Sequence, residues 1–228
     1  EDVAVCDALI EAPEVAGAFV LSGERFDHLE GVMSCAARES TEQVRLDPES
    51  IAVIMFSSGS TGDPKGVELS HRAILAQIVM LQEKLSLTSR DCFVNWMPMS
   101  HDFGLFQFHI LPLLSGVPQV LMATDDFARH PVSWLRLIQD HRGTITGAPN
   151  LALQMVNNLL KPQRAAQLDL NLLRCIALGA EPLDPSVLRT FADKLKPSGF
   201  NSAALTPAFG LAEATLVITM VSGLQTVH

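Results

Sequence analysis

The chain has 228 residues, 48% of them hydrophobic, with 16 Lys and Arg against 25 Asp and Glu and a formal net charge of −9. That apolar fraction excludes a disordered polar chain, and the acidic balance, with no basic run or Arg-rich aromatic stretch, excludes nucleic acid as an expected partner. Cys6, Cys35, Cys92 and Cys175 form no C-x-x-C pair, so neither a zinc site nor a disulfide framework is indicated, and a cytoplasmic location is expected.

In chain order, Ala18 to Leu21 reads as a short strand and Arg38 to Ser50 as a polar linker. Ile51 to Phe56 is a continuous apolar run, expected to be a buried strand. Ser70 is placed to cap a helix whose Ile74, Ile78, Leu81 and Leu85 recur at helical spacing. Cys92 to Met97 is the next strand, an apolar segment from Gly104 to Leu114 follows, and Gln119 to Met122 is again strand-like. Pro131 opens a helix through Arg142 that carries Trp134, Leu135 and Ile138 on one side. Thr144 to Thr146 is a short strand, Asn150 to Leu160 a helix, and Leu173 to Leu178 a strand. Asp184-Pro185 then supplies an N-cap and a first-turn proline to a helix reaching about Leu195. This alternation predicts an α/β fold, a largely parallel sheet flanked by helices. The weakly charged stretch 103–124 contains Gln107, His109, Pro112, Pro118 and Gln119, which would be costly in lipid, so it is read as core and no membrane span is expected. No basic leader follows Glu1 and Asp2.

Residues 57–67 read Ser-Ser-Gly-Ser-Thr-Gly-Asp-Pro-Lys-Gly-Val. Gly59 and Gly62 let the backbone come close to a ligand, while Ser57, Ser58, Ser60 and Thr61 offer hydrogen bonds outward. Lys65 adds one cation, so the loop suits a polyphosphate. The loop of ordinary nucleotide triphosphatases needs glycine before the lysine and Ser or Thr after it. Here Pro64 precedes Lys65 and Gly66 follows, which disfavours that reading. A Ser/Gly-rich surface turn is the bland alternative. The segment resembles the phosphate-binding signature of the adenylate-forming superfamily, which comprises acyl-CoA synthetases, luciferases and peptide synthetase adenylation domains.

Three further segments carry the same resemblance. In Trp96-Met97-Pro98-Met99-Ser100-His101-Asp102-Phe103-Gly104-Leu105, the His-Asp-x-Gly-Leu run is similar to the fatty-acyl-AMP ligase branch. The resemblance implies that His101 sits near the carboxylate of the acid and acts catalytically with Lys65. On spacing alone, a histidine bonded within the core is the simpler reading. His109 lies eight residues on, but no further ligands accompany the pair to make a metal site. Gly179-Ala180-Glu181-Pro182 resembles the family loop that lines adenine, and a plain β-to-α turn is its alternative. Ala208-Phe209-Gly210-Leu211-Ala212-Glu213-Ala214-Thr215 resembles the element whose aromatic ring stacks on adenine and whose glutamate holds Mg²⁺. That makes Phe209, Gly210, Leu211 and Ala212 nucleotide contacts and Glu213 the metal ligand. Phe209 stands where most relatives have tyrosine, and Ala212 where many have threonine. The Gly-Leu-Ala-Glu-Ala-Thr form belongs with the fatty-acyl-AMP ligase branch, as does Thr146-Gly147-Ala148-Pro149-Asn150.

The resemblance implies that a carboxylate, most simply a fatty acid, attacks the α-phosphate of ATP to give an acyl-adenylate and pyrophosphate with Mg²⁺ as cofactor. A thiol then accepts the acyl group, on a phosphopantetheine arm of an acyl carrier protein or on CoA. Phe103, Phe106 and Asn150 are assigned to the acyl pocket, with Phe108, Ile110, Leu111 and Leu114 able to line a tunnel or simply to pack a helix. Residues 1–50 are expected to be the remnant of a preceding subdomain and 51–228 an ATP-binding subdomain. No later family elements are seen, neither a ribose-holding aspartate nor a final small domain with its lysine. The chain is therefore expected to be a piece of a larger enzyme, weakly active at most. The alternative function is a non-catalytic nucleotide- or acyl-binding module derived from the same fold.

Overall fold

The computed structural model describes residues 19–22, 47–57 and 65–221. Seven strands form one sheet in the order β1-β5-β4-β6-β7-β8-β9, and β2 and β3 form a separate two-stranded sheet. The large sheet contains β1 (Phe19–Ser22), β4 (Phe93–Asn95), β5 (Gln119–Met122), β6 (Ile145–Ala148), β7 (Cys175–Leu178), β8 (Leu205–Gly210) and β9 (Val217–Met220). Every pairing in it from β1 to β8 is parallel, and only β9 runs antiparallel to its neighbour. The central strands β6 and β7 are buried at every position. Helices cover the sheet, so the expected α/β architecture is present.

The helix α1 (His71–Leu85) begins where Ser70 was expected to cap it, with the Ser70 hydroxyl accepting from the Ala73 amide at 3.2 Å. Its Ile74, Ile78, Leu81 and Leu85 are all buried, each stabilising the fold by about 1.5–3 kcal/mol on transfer grounds. A π-helix, Phe103–Ile110, follows β4 and runs directly into the short α2 (Leu111–Leu114). Then come α3 (Thr124–Arg129), α4 (Pro131–Asp140), α5 (Asn150–Leu159), α6 (Pro162–Ala165) and α7 (Pro185–Leu195). Asp184 caps α7 by accepting from the Ser186 amide at 2.7 Å. None of the described helices is long and apolar enough to cross a membrane.

One expectation is corrected. β2 (Ile51–Ser57) is a strand but not a buried one, because it pairs antiparallel with β3 (Lys65–Ser70) in a hairpin outside the main sheet. Among the described residues one face of this two-stranded ribbon is uncovered, and Ile51, Ile54 and Phe56 are 51%, 49% and 75% exposed. The linker expected over 38–50 lies mostly outside the described residues; its end, from Asp47 to Ser50, turns into β2.

The π-helix is held by aromatic contacts. Phe108 packs edge-on against Phe93 of β4 at 6.1 Å and against Phe103 at 5.3 Å. Gly104 is required here, since a Cβ on it would lie 2.2 Å from the Pro98 carbonyl oxygen.

Candidate functional site

In an open parallel sheet, the loops leaving the carboxyl ends of the strands converge and leave a crevice. A cavity of about 490 Å³ lies there, lined by segments far apart in sequence. Ser100, His101, Asp102 and Phe103 come from the loop after β4 and the start of the π-helix. Gly179 and Ala180 follow β7, and the run from Ala208 to Glu213 ends β8 and forms a tight turn. Met55 and Phe56 reach the cavity from the β2–β3 hairpin, and Leu216 and Val217 from the start of β9.

The first cluster is built around a short polar pair. The Nδ1 of His101 lies 2.6 Å from Oδ1 of Asp102, and the same Asp102 oxygen accepts from the Phe103 amide at 2.7 Å to cap the π-helix. Asp102 thus fixes both the helix start and the imidazole. With Nδ1–H directed at the carboxylate, Nε2 is the nitrogen left to meet a ligand. The hydrogen bond to Asp102 raises the His101 pKa above its ordinary 6.5, burial opposes this, and the carboxylate charge adds to the rise. A raised histidine pKa stabilises the fold below the ordinary value, and that contribution disappears as pH climbs through the folded one. Asp102→Asn keeps an oxygen for the Phe103 amide but removes the charge. It is expected to move the His101 midpoint back down in an NMR titration of the ring, and an unchanged midpoint would show that Asp102 does not control the imidazole.

The second cluster is shaped by backbone. Ala180 and Thr215 have φ of 69° each, two of only four non-glycine positive values among the described residues. Such conformations are unfavourable for a side chain and gather where geometry is imposed by function. Phe209 is 63% exposed on the cavity wall, an apolar ring left free to stack. Glu213 is exposed and makes no ion pair among the described residues. Those residues hold no group of three His, Cys, Asp or Glu able to bind a metal by themselves.

Not every expected site residue reaches the cavity. Ser57 and Lys65 face each other across the end of the β2–β3 hairpin, next to Phe56 and Gly66. β3, which carries Lys65, lies against the turn that carries Glu213. Ser58, Gly59, Ser60, Thr61 and Gly62 lie outside the described residues. Glu181 instead accepts from the Leu151 amide at 2.6 Å in the first turn of α5, and Asn150 accepts from the Asp184 amide at 2.9 Å. These two side chains tie the loops after β6 and β7 together. Pro182 does not line the cavity, and Phe106 is fully buried in the core. Ser100, Asp102, Met55 and Phe56 line the cavity without having been assigned to the site from sequence. Adjacency to His101 was the available signal for the first two, and adjacency to the Ser57 loop for the others.

The model of the family described as AMP-binding enzyme matches residues 3–227. Among curated relatives, the chain is 34% identical over 184 residues to the medium-chain-fatty-acid acyl-carrier-protein ligase JamA of Moorena producens. It is 32% identical over 193 residues to a 4-hydroxyphenylalkanoate adenylyltransferase of Mycobacterium tuberculosis. These alignments cover 81% and 82% of the chain but 31% and 30% of the relatives, so the chain spans about a third of their length. Among solved structures, the fold superposes with a TM-score of 0.76 and 30% identity on a fatty acyl-adenylate ligase from L. pneumophila in complex with acyl adenylate and pyrophosphate. That superposition covers 79% of this chain and 32% of the other.

Proposed function

The chain belongs to the AMP-binding enzyme family, and from that premise we propose that it forms the ATP-binding part of a ligase that activates a fatty acid as its acyl-adenylate. One observation carries the reading: a single cavity at the carboxyl edge of the sheet gathers His101, Ala180, Phe209 and Glu213 from separate segments. In this reading residues 51–228 form the nucleotide-binding unit of a longer enzyme, with β1 of the preceding segment added at the edge of its sheet. The adenine lies on Phe209 between the main chain at Gly179-Ala180 and at Gly210-Leu211-Ala212, where small residues leave room for a flat base. Lys65 and the loop 57–62 hold the phosphates. His101, oriented by Asp102, keeps the acid's carboxylate in line with the α-phosphate, an effect of position and charge.

The donor set also fits Mg²⁺, which takes one or two carboxylates and completes its shell with water and substrate phosphates. Glu213 is the free carboxylate at the cavity and would hold it. When bound, the ion neutralises phosphate charge and makes pyrophosphate a better leaving group. The acceptor is the thiol of a phosphopantetheine arm on an acyl carrier protein, with CoA as the competing acceptor, a choice supported by the acyl-carrier-protein ligases among the relatives. The reaction belongs in the cytoplasm, where ATP and carrier proteins meet.

The test is carboxylate-dependent exchange of labelled pyrophosphate into ATP, run on the natural full-length polypeptide with saturated acids of graded chain length. Exchange that depends on a fatty acid is expected. Glu213→Gln is expected to lower it about 10- to 100-fold and to raise the Mg²⁺ concentration required. Release of phosphate with no need for an acid would refute the ligase, and ATP binding without exchange would leave a non-catalytic nucleotide-binding module.

A further inference from the structure

We propose that Gln77 is a positioning residue for the phosphate end of the site, fixing the turn that carries Glu213 against the strand and helix that carry Lys65. These two groups start from different sheets. Lys65 begins β3, which runs through Ser70 directly into α1. Glu213 sits in the turn between β8 and β9 of the large sheet. β3 lies against that turn, and Gln77 of α1 ties the two units together: its Oε1 accepts from the Val217 amide at 3.0 Å, a bond between residues 140 positions apart. Gln77 is 7% exposed and shares the buried side of α1 with Ile74, Ile78 and Leu81. A carboxamide there is costly unless it is bonded, and a leucine would suit the stripe better if the bond had no use.

The turn that Gln77 holds is under strain. Thr215 is β-branched and 4% exposed, with φ of 69° and ψ of −52°. The Leu216 amide donates to the Ala214 carbonyl at 2.9 Å, which closes a γ-turn of the unfavourable hand on Thr215. Such a bend persists only where its surroundings leave it no alternative. At one end, the Leu216 carbonyl accepts from the Leu211 amide at 2.9 Å. At the other, Gln77 fixes the Val217 amide, next to the register shift in the pairing of β8 and β9. Leu216 and Val217 line the cavity together with Glu213, so holding them sets where the carboxylate stands. Without the bond the bend is free to relax, and the separation of Glu213 from the Lys65 strand is no longer set. That separation matters to a ligand with a polyphosphate and a metal ion, and not to one that ends at the α-phosphate.

The inference rests on the proposed use of Lys65 and Glu213 in the ligase, and the experiment separates the two. The natural full-length polypeptide is titrated calorimetrically with AMP and with ATP plus Mg²⁺, and is assayed by acid-dependent pyrophosphate exchange. Gln77→Leu is expected to weaken MgATP about tenfold or more and to raise the Mg²⁺ concentration required, with AMP affinity unchanged. In a Glu213→Gln background the same change should cost little further, since no carboxylate is left to place. Amide hydrogen exchange in residues 211–217 should be faster in Gln77→Leu than in wild type. Equal losses for AMP and MgATP, an unchanged MgATP affinity, additive losses in the double variant, or unaltered hydrogen exchange would each overturn the role of Gln77 and leave the ligase standing. A wild type that binds both nucleotides but shows no acid-dependent pyrophosphate exchange would overturn the ligase alone, and the two titrations would then decide the role of Gln77. Should Gln77→Leu not fold, Gln77→Met keeps the side-chain length and is read in the same way. Failure of both to fold would overturn the role, because the glutamine would then serve the fold rather than the site.

Discussion

Gly210→Ala is expected to destabilise the protein by about 3 kcal/mol or more and to abolish ATP binding in whatever folds. A Cβ at this position would lie 1.6 Å from the Leu216 carbonyl oxygen, 2.5 Å from its carbon and 2.9 Å from the Cα of Val217. All three are backbone atoms, so no rotamer change can relieve the overlap. The Leu216 oxygen also accepts from the Leu211 amide at 2.9 Å, closing the turn that holds Glu213. β8 and β9 pair Gly210 with Val217 immediately after a register shift, and pushing them apart carries Phe209 and Glu213 away from the other cavity walls. Gly116 supplies the contrast. It has φ of 62° and nothing within 4 Å of its would-be Cβ, so Gly116→Ala meets only the backbone penalty of about 1 kcal/mol. Urea unfolding of the two variants, with calorimetric ATP titration, checks the difference. A Gly210→Ala protein as stable as wild type would show that the two strands do not need this approach.

The helices were the more legible part of the chain because their signals are local. Ser70 with four apolar residues at helical spacing marks α1, and Asp184-Pro185 marks α7, whose ends need no tertiary information. The strand β2 misleads for a physical reason. A continuous apolar run looks the same in the middle of a sheet and in a hairpin whose outer face is bare, and only the partner distinguishes them. That partner, β3, carries Lys65 and Glu68 and ends on the Ser70 cap, so it reads as loop and helix start. The π-helix escapes for a different reason, since its residues follow neither the period of 3.6 nor that of 2. At the site, resemblance supplied Phe209, Glu213 and His101, and the cavity holds all three. Asn150 and Glu181 show its limit: their side chains are committed to backbone amides of neighbouring loops, a use that a one-dimensional motif cannot reveal. The strained backbone at Ala180 and Thr215 was likewise invisible, because neither residue type favours φ of 69°.

Asp91→Ala is expected to cost about 3 kcal/mol while leaving the ATP affinity of the folded protein unchanged. Asp91 is 4% exposed and stands at the end of the sheet away from the cavity, just before β4. Its carboxylate accepts from Arg174 Nε at 2.7 Å and Nη2 at 2.9 Å, from the Thr144 hydroxyl at 2.7 Å and from the Thr88 amide at 2.9 Å. Arg174 also donates to the Leu85 carbonyl at 2.8 Å, so one carboxylate joins the end of α1 to the entrances of β4, β6 and β7. Removing it strands a guanidinium, a loss of about 3–5 kcal/mol for a buried pair, and the partial exposure of Arg174 places the expectation at the low end. The pH dependence follows from the same bonds. Burial pushes the Asp91 carboxyl up, but the hydrogen bonds from Arg174, Thr144 and Thr88 outweigh it and bring the pKa from 3.8 down to about 2. A depressed carboxylate stabilises the fold fully above its ordinary value and loses that contribution as pH falls from about 4 to about 2, on the order of 2 kcal/mol in all. Unfolding free energy measured across that window should fall more steeply for wild type than for Asp91→Asn, which has no charge to neutralise. Parallel slopes in the two proteins would mean that Arg174 and Asp91 do not pair in solution.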